Sequence, residues 1–232
     1  MSYTSYNAIA DEYYDERHVT SRNFDSTTKV ALSEEKLSIS NGLTLELGAG
    51  RGRATEYLGI DKSKIVQLDS SSAMFEIPNR EECSLKILSN ACKIPLVSHQ
   101  FSLVVGFLVD PFIGLECLSE AYRMLKANGQ LLFSVPTKIC GDALRSKRNI
   151  QAMSTRFKMI ETEEIVEAPS ILQSPERIIE MLNLSGFQNI SITGHCLPKK
   201  VKNISPDIEA AAYELNIPIN ELEIINIIKA ER

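Results

Sequence analysis

Glu46, Gly48, Gly50 and Gly52 form the stretch of this chain whose residue types and spacing point most directly to chemistry. The apolar run Leu43 to Leu47 ends in the glycines, and Ala54-Thr55-Glu56-Tyr57-Leu58 follows as the opening of a helix. A strand-to-helix turn built of glycine lets a ligand lie against bare backbone. The first N–H groups of the helix turn its positive end toward negative charge. The chemistry is recognition of a nucleotide-like ligand, although many α/β proteins carry a glycine turn for tight packing alone. A dinucleotide fingerprint, G-x-G-x-x-G, requires glycine where this chain has Arg53. Asp69 closes a second apolar run, Ile65-Val66-Gln67-Leu68, about 20 positions after the turn, the placing at which a carboxylate accepts the hydroxyls of a ribose. The same position suits a helix N-cap.

An acidic residue two places before G-x-G-x-G resembles the class I S-adenosylmethionine-dependent methyltransferases. Three further stretches carry the resemblance. Asp69 is the first, with Ser70-Ser71-Ser72 capping the next helix and Ala73-Met74 beneath an adenine. Ser89-Asn90-Ala91-Cys92-Lys93-Ile94-Pro95-Leu96 is the second; the family commonly has Asp-Ala there, and Asn90 can accept from the adenine amino group without charge. The third is Arg123-Met124-Leu125-Lys126-Ala127-Asn128-Gly129, similar to Arg-x-Leu-Lys-Pro-Gly-Gly, with Asn128-Gly129 supplying the turn out of the helix. The resemblance implies S-adenosyl-L-methionine as cofactor. Its binding set is Glu46, Gly48, Ala49, Gly50 and Gly52 at the turn, Asp69, Ser70 and Met74 after the second strand, and Asn90, Ala91 and Gly106 beyond. The lead-in Ile9-Ala10 and Tyr14-Asp15 also matches the family, where these pairs sit on a helix that folds over the cofactor. Residues 1–26 are therefore expected to form a lid that excludes water, with Tyr14 near the sulfonium.

The elements that must position these groups alternate strand and helix. Strands are expected at Leu43–Leu47, Ile65–Asp69, Cys83–Leu88, Phe101–Leu108, Leu131–Val135, Gln188–Thr193 and Glu221–Ala230. Helices are expected from Thr27 to Ser38, from Leu115, from Ser174-Pro175-Glu176 and from Pro206. The fold class is α/β: a Rossmann-like, doubly wound seven-stranded sheet, mostly parallel with an antiparallel last strand, and helices on both faces. Residues 136–174 lose sheet-like order and are expected to hold a helix carrying Arg145, Lys147, Arg148, Arg156 and Lys158. In the family an insertion here lies over the substrate.

Composition narrows the function. A chain of 232 residues with 44% hydrophobic content suits one domain. A net charge of −5 argues against bulk nucleic acid as substrate. The basic clusters Arg145/Lys147/Arg148 and Lys199/Lys200/Lys202 read as solvated faces. No apolar run reaches membrane-spanning length and no signal peptide opens the chain, so a cytoplasmic protein without membrane contact is expected. Cys83, Cys92, Cys117, Cys140 and Cys196 are scattered, which suits reduced thiols; no metal and no thiol nucleophile are expected.

The expected reaction is methyl transfer to a small-molecule acceptor at oxygen or nitrogen, by in-line displacement, in a monomer or homodimer. Protein or carrier-bound acceptors, and a non-catalytic cofactor-binding module, are the alternatives. Should the nucleophile need a base, His18 in the lid and Asp110 past the fourth strand are the candidates; Asp110 also suits a cap before Pro111. His99 is expected at the opposite end of the sheet and His195 past an edge strand.

Overall fold

The computed structural model describes residues 4–34, 42–76, 85–146 and 153–232. In chain order the elements are α1 (Thr4–Ile9), α2 (Val19–Glu34), β1 (Thr44–Leu47), α3 (Ala54–Leu58), β2 (Ile65–Asp69), α4 (Ser72–Glu76), β3 (Leu85–Leu88), β4 (Phe101–Gly106) and α5 (Leu115–Met124). They continue with β5 (Leu125–Pro136), α6 (Lys138–Ser146), β6 (Ser154–Lys158), β7 (Ile165–Pro169), α7 (Pro175–Ser185), β8 (Gln188–Cys196), α8 (Pro206–Leu215) and β9 (Glu223–Glu231).

A seven-stranded sheet runs β3-β2-β1-β4-β5-β9-β8. β3, β2, β1, β4 and β5 are parallel neighbours, and β9 lies antiparallel between β5 and β8. The inner strands are buried on both faces because helices cover both, while the edge strands β3 and β8 are more exposed. Leu45, Leu68, Val104 and Phe133 pack with Leu118 and Ala121 of α5 and Ile178 and Leu182 of α7. Leu103, Val105, Leu132 and Ile227 pack on the other side with Leu32 of α2, Ala54 of α3 and Ile208 of α8. Each such side chain stabilises the fold by about 1.5–3 kcal/mol on burial. This double covering puts the carboxyl ends of β1, β2 and β4 together at one edge, where the site lies.

The expected seven-stranded architecture holds, and four local expectations need correction. Residues 154–169 are not helical: β6 and β7 form a separate antiparallel hairpin in which Arg156 stands opposite Glu167 and Phe157 opposite Val166. Thr155, Ile165 and Val166 are β-branched and crowd a helical turn, a cue masked by the surrounding charges. The helix over residues 115–124 stops at Leu125, which is extended, and the left-handed residue is Asn128 alone (φ 61°), already within β5. Tyr14 and Asp15 lie in the non-helical segment between α1 and α2 rather than on a helix. The helix before β1 is α2, eight residues earlier at its start than expected; the end foreseen at Ser40-Asn41, like Cys83, Lys147 and Arg148, lies outside the described residues. Among the described residues no helix is long and apolar enough to cross a membrane.

Candidate active site

The glycine turn is held from below by two carboxylates. Glu46, buried at the centre of β1, accepts the backbone N–H of Arg53 at 2.7 Å and of Ala54 at 3.1 Å through Oε1, while Oε2 accepts the Gln67 amide at 3.2 Å. The first two N–H groups at the start of α3, those of Arg53 and Ala54, are thus capped by Glu46 and are not left for a ligand, contrary to the sequence expectation. Asp69, at the end of β2, accepts from Gly50 N–H and from Ser71 N–H, both at 2.8 Å. Burial outweighs these backbone bonds and raises its carboxyl above the ordinary aspartate range.

Positive φ at Gly48, Gly50 and Gly52 (61°, 52° and 79°) explains why the turn needs glycine. A β-carbon at position 50 would lie 2.2 Å from the Tyr14 hydroxyl, and one at position 48 would lie 2.7 Å from the Phe112 ring. Tyr14 and Phe112 therefore rest directly on bare backbone. The Tyr14 hydroxyl also accepts the Arg51 N–H at 3.2 Å, and the guanidinium groups of Arg51 and Arg53 stand 4.5 and 5.0 Å from its ring centre. Arg53 is in turn fixed by Asp25 at 3.2 Å and Glu56 at 2.6 Å.

From this turn a cavity of about 260 Å³ extends toward the substrate side. Glu46, Gly48, Ala49 and Gly50 line it at the turn, with Tyr14 over them; Asp69, Ser70, Met74, Asn90 and Ala91 line one flank. Gly52 and Gly106 do not. Gly52 closes the turn through its N–H to Ala49 at 2.7 Å. Gly106 lies against Val109, whose Cγ1 would be 2.5 Å from an added β-carbon, so its role is packing. Asn90 is exposed, and its side-chain oxygen accepts the Cys92 N–H at 2.8 Å.

Asp110 lines the far end of the cavity and His18 does not. The His18 ring packs on Phe157 with centres 4.1 Å apart, and its Nε2 is 3.8 Å from Glu12. Burial lowers its pKa below the usual histidine range. Asp110 accepts the Ser170 hydroxyl at 2.5 Å, and the buried Arg145 guanidinium donates to the Ser170 hydroxyl at 2.9 Å and to its carbonyl at 2.6 Å. Loss of water pushes the Asp110 carboxyl up to about 6, with Ser170 and Arg145 pulling the other way. Arg145 thus belongs to the cavity and not to a solvated basic face. It follows Gly141 by one helical turn on the inward side of α6, and that spacing was the available signal.

The roof consists of the N-terminal segment and the β6–β7 hairpin. Glu12 accepts the N–H of Ile160 at 2.5 Å and of Glu161 at 3.2 Å, and Tyr13 stacks on Phe157 at 6.1 Å between centres. Asn7 accepts the Ser71 hydroxyl at 2.6 Å, fastening the segment beside Asp69. His99 lies at the opposite end of the sheet, as expected, bonded to Leu125 O at 3.1 Å, whereas His195 lies within edge strand β8, which runs three residues beyond the expected end at Thr193.

Residues 45–133 match the family model described as "Methyltransferase domain". No curated protein sequence matches the chain. Among solved structures it resembles a Thermotoga maritima S-adenosylmethionine-dependent methyltransferase described as a possible histamine N-methyltransferase (TM-score 0.68, 18% identity, 99% of this chain and 98% of that one). It also resembles Haemonchus contortus phosphoethanolamine N-methyltransferase 2 bound to S-adenosyl-L-methionine (0.61, 14%, covering 100% and 60%). A third is Streptomyces coelicolor geranyl diphosphate C-methyltransferase (0.61, 13%, covering 90% and 78%).

Proposed function

We propose that this chain, whose residues 45–133 match a methyltransferase domain, is an S-adenosylmethionine-dependent methyltransferase that methylates a small molecule at oxygen or nitrogen. The carrying observation is one cavity that joins the glycine turn to Asp110, Ser170 and Arg145 beneath a two-part roof. A roofed cavity of this size suits a small acceptor better than a folded protein surface.

The donor set fits the cofactor. Asp69 is the carboxylate for the ribose hydroxyls, Met74 and Ala91 offer apolar surface to adenine, and Asn90 offers a polar edge beside it. Ala49 offers backbone at the turn, flanked by Phe112 against Gly48 and Tyr14 against Gly50. When bound, the cofactor supplies a methyl group already activated by its sulfonium. The chain's own task is then to orient the acceptor, exclude water and take up a proton. Asp110 takes that proton in this reading, because it faces the cavity whereas His18 is turned into the roof against Phe157.

The test has two stages. Calorimetric titration with S-adenosylhomocysteine, for wild type and Asp69→Ala, establishes the site. Small alcohols, phenols, amines and carboxylates are then screened for acceptor-dependent formation of S-adenosylhomocysteine. Turnover with a small acceptor supports the reading; turnover only with protein or carrier-bound acceptors replaces it. Tight cofactor binding with no turnover on either class leaves the non-catalytic module.

A further inference from the structure

We propose that Ser170 is a positioning residue for Asp110, itself held in place by Arg145, so that the substrate-side insertion assembles the base as well as covering the acceptor. The inference rests on the reading of Asp110 as the proton acceptor.

Three elements distant in sequence meet here. Asp110 follows β4, Arg145 lies near the end of α6, and Ser170 comes directly after β7. The Ser170 hydroxyl has one hydrogen, and its 2.5 Å contact with Asp110 Oδ2 assigns that hydrogen to the carboxylate. Arg145 fixes the direction of the bond by donating to the oxygen of the same hydroxyl and to the Ser170 carbonyl. Ile171 N–H donates to the Asp110 carbonyl at 2.8 Å, so the two backbones are joined as well. Ser170 holds Oδ2, and the backbone N–H of Asp110 itself also favours the ionised carboxyl. All three residues line the same cavity.

The charged groups around Asp110 come from each element packed on it. Arg145 approaches from α6 and favours the carboxylate; Tyr13 approaches from the N-terminal segment and is held protonated by burial. The Ser170 bond also favours the ionised form and partly offsets desolvation. Without it the carboxyl would take up its proton at higher pH and its free rotation would return. In the transfer step the acceptor's proton passes to Asp110. The acceptor's electron pair forms the new bond to the methyl carbon, and the pair of the broken carbon–sulfur bond departs with sulfur.

The experiment is carbon-13 carboxylate NMR on the full-length, ligand-free chain, titrated from about pH 4 to about pH 8, with Asp110→Asn assigning the resonance. Wild type is expected to titrate at about 6. In Ser170→Ala the midpoint should rise by about one pH unit, which is what one hydrogen bond to a carboxylate is worth. Ser170→Thr should restore it. Ser170→Cys, a weaker donor of similar shape, should fall between and serves should the alanine variant not fold. An Asp110 midpoint that is the same in Ser170→Ala and Ser170→Cys as in wild type overturns the proposal. Failure of the parent reading looks different: Asp110→Asn would retain full methyl transfer while the Ser170 dependence of the midpoint persisted.

Discussion

Asp69 accepts the backbone N–H of Gly50 at 2.8 Å, so the carboxylate assigned to the cofactor also shapes the turn on which the cofactor lies. Because it is buried and its pKa raised, the folded chain binds a proton there more readily than the unfolded chain does. Stability attributable to this group is therefore present below the ordinary aspartate pKa and lost as pH rises through the raised one. Asn at this position carries no charge but can accept only one of the two N–H groups, Gly50 or Ser71, that the carboxylate holds. Removal of the buried charge offsets that lost bond, so Asp69→Asn is expected to match wild type in thermal stability at neutral pH without ligand. Its affinity for S-adenosylhomocysteine should fall roughly 10- to 100-fold, the worth of one or two charge-assisted hydrogen bonds. Scanning calorimetry paired with titration calorimetry reads both; a variant less stable than wild type and equally tight would contradict both parts.

Gly50→Ala tests the bare floor of the site. Alanine must adopt φ of +52° there, costing about 1–2 kcal/mol, and its β-carbon would stand 2.2 Å from the Tyr14 hydroxyl. The loss of stability should show as a drop in melting temperature of a few degrees. Tyr14→Phe in the Gly50→Ala background should recover part of the loss, because removing the hydroxyl removes the contact and leaves only the backbone strain. An unchanged melting temperature in Gly50→Ala would mean that the turn is not held as described.

The glycine-turn side of the cavity was legible in the chain because it depends on local signals. The glycine turn, Asp69 and Asn90 each sit at a strand end, where spacing along the sequence translates into position at the sheet edge. On the opposite side Asp110 was legible, but its joining to Arg145 and Ser170 was not. Asp110, Arg145 and Ser170 are brought together by three connections with no common period, and Arg145 stands beside Lys147 and Arg148 in a stretch that reads as a solvated face. Arg156 and Lys158 misled in the same way: their charges suggest an exposed helix, while the β-branched neighbours make a hairpin. Glu46 shows a subtler gap, since its position was plain but its use as a cap on Arg53 and Ala54 depends on a side chain reaching across the turn.

Asn90 departs from the aspartate common in similar chains, and its geometry says what the departure costs. The side-chain oxygen already accepts from Cys92 N–H, an arrangement that an aspartate oxygen reproduces equally well. Asn90→Asp should therefore keep the turn and change affinity for S-adenosylhomocysteine by less than about threefold, a few tenths of a kcal/mol. Asn90→Ala removes the acceptor from the turn and should weaken binding about tenfold, typical of one lost hydrogen bond. Equal affinities for Asn90→Ala and wild type would place adenine recognition elsewhere on the cavity flank.

Glu12 joins the two halves of the roof. Its carboxylate takes two backbone N–H groups at the β6–β7 turn, those of Ile160 and Glu161, and it is the polar centre of a contact otherwise made by Tyr13, His18 and Phe157. Removing it leaves two amides without a partner in a partly buried place, at a cost of about 1–3 kcal/mol to the closed arrangement and little to the sheet beneath. Glu12→Ala should consequently speed amide exchange across residues 154–169 by roughly 10-fold or more while leaving exchange in β1, β4 and β5 at the wild-type rate. Glu12→Gln, which keeps one acceptor oxygen, should lie between. Asp69 and Asn90 lie outside the roof, so on the proposed assignment the acceptor's KM in Glu12→Ala should rise more than the cofactor's dissociation constant. Equal exchange in the hairpin of Glu12→Ala and wild type would show that the aromatic contacts alone hold the roof, and that the two segments need no carboxylate to close as one.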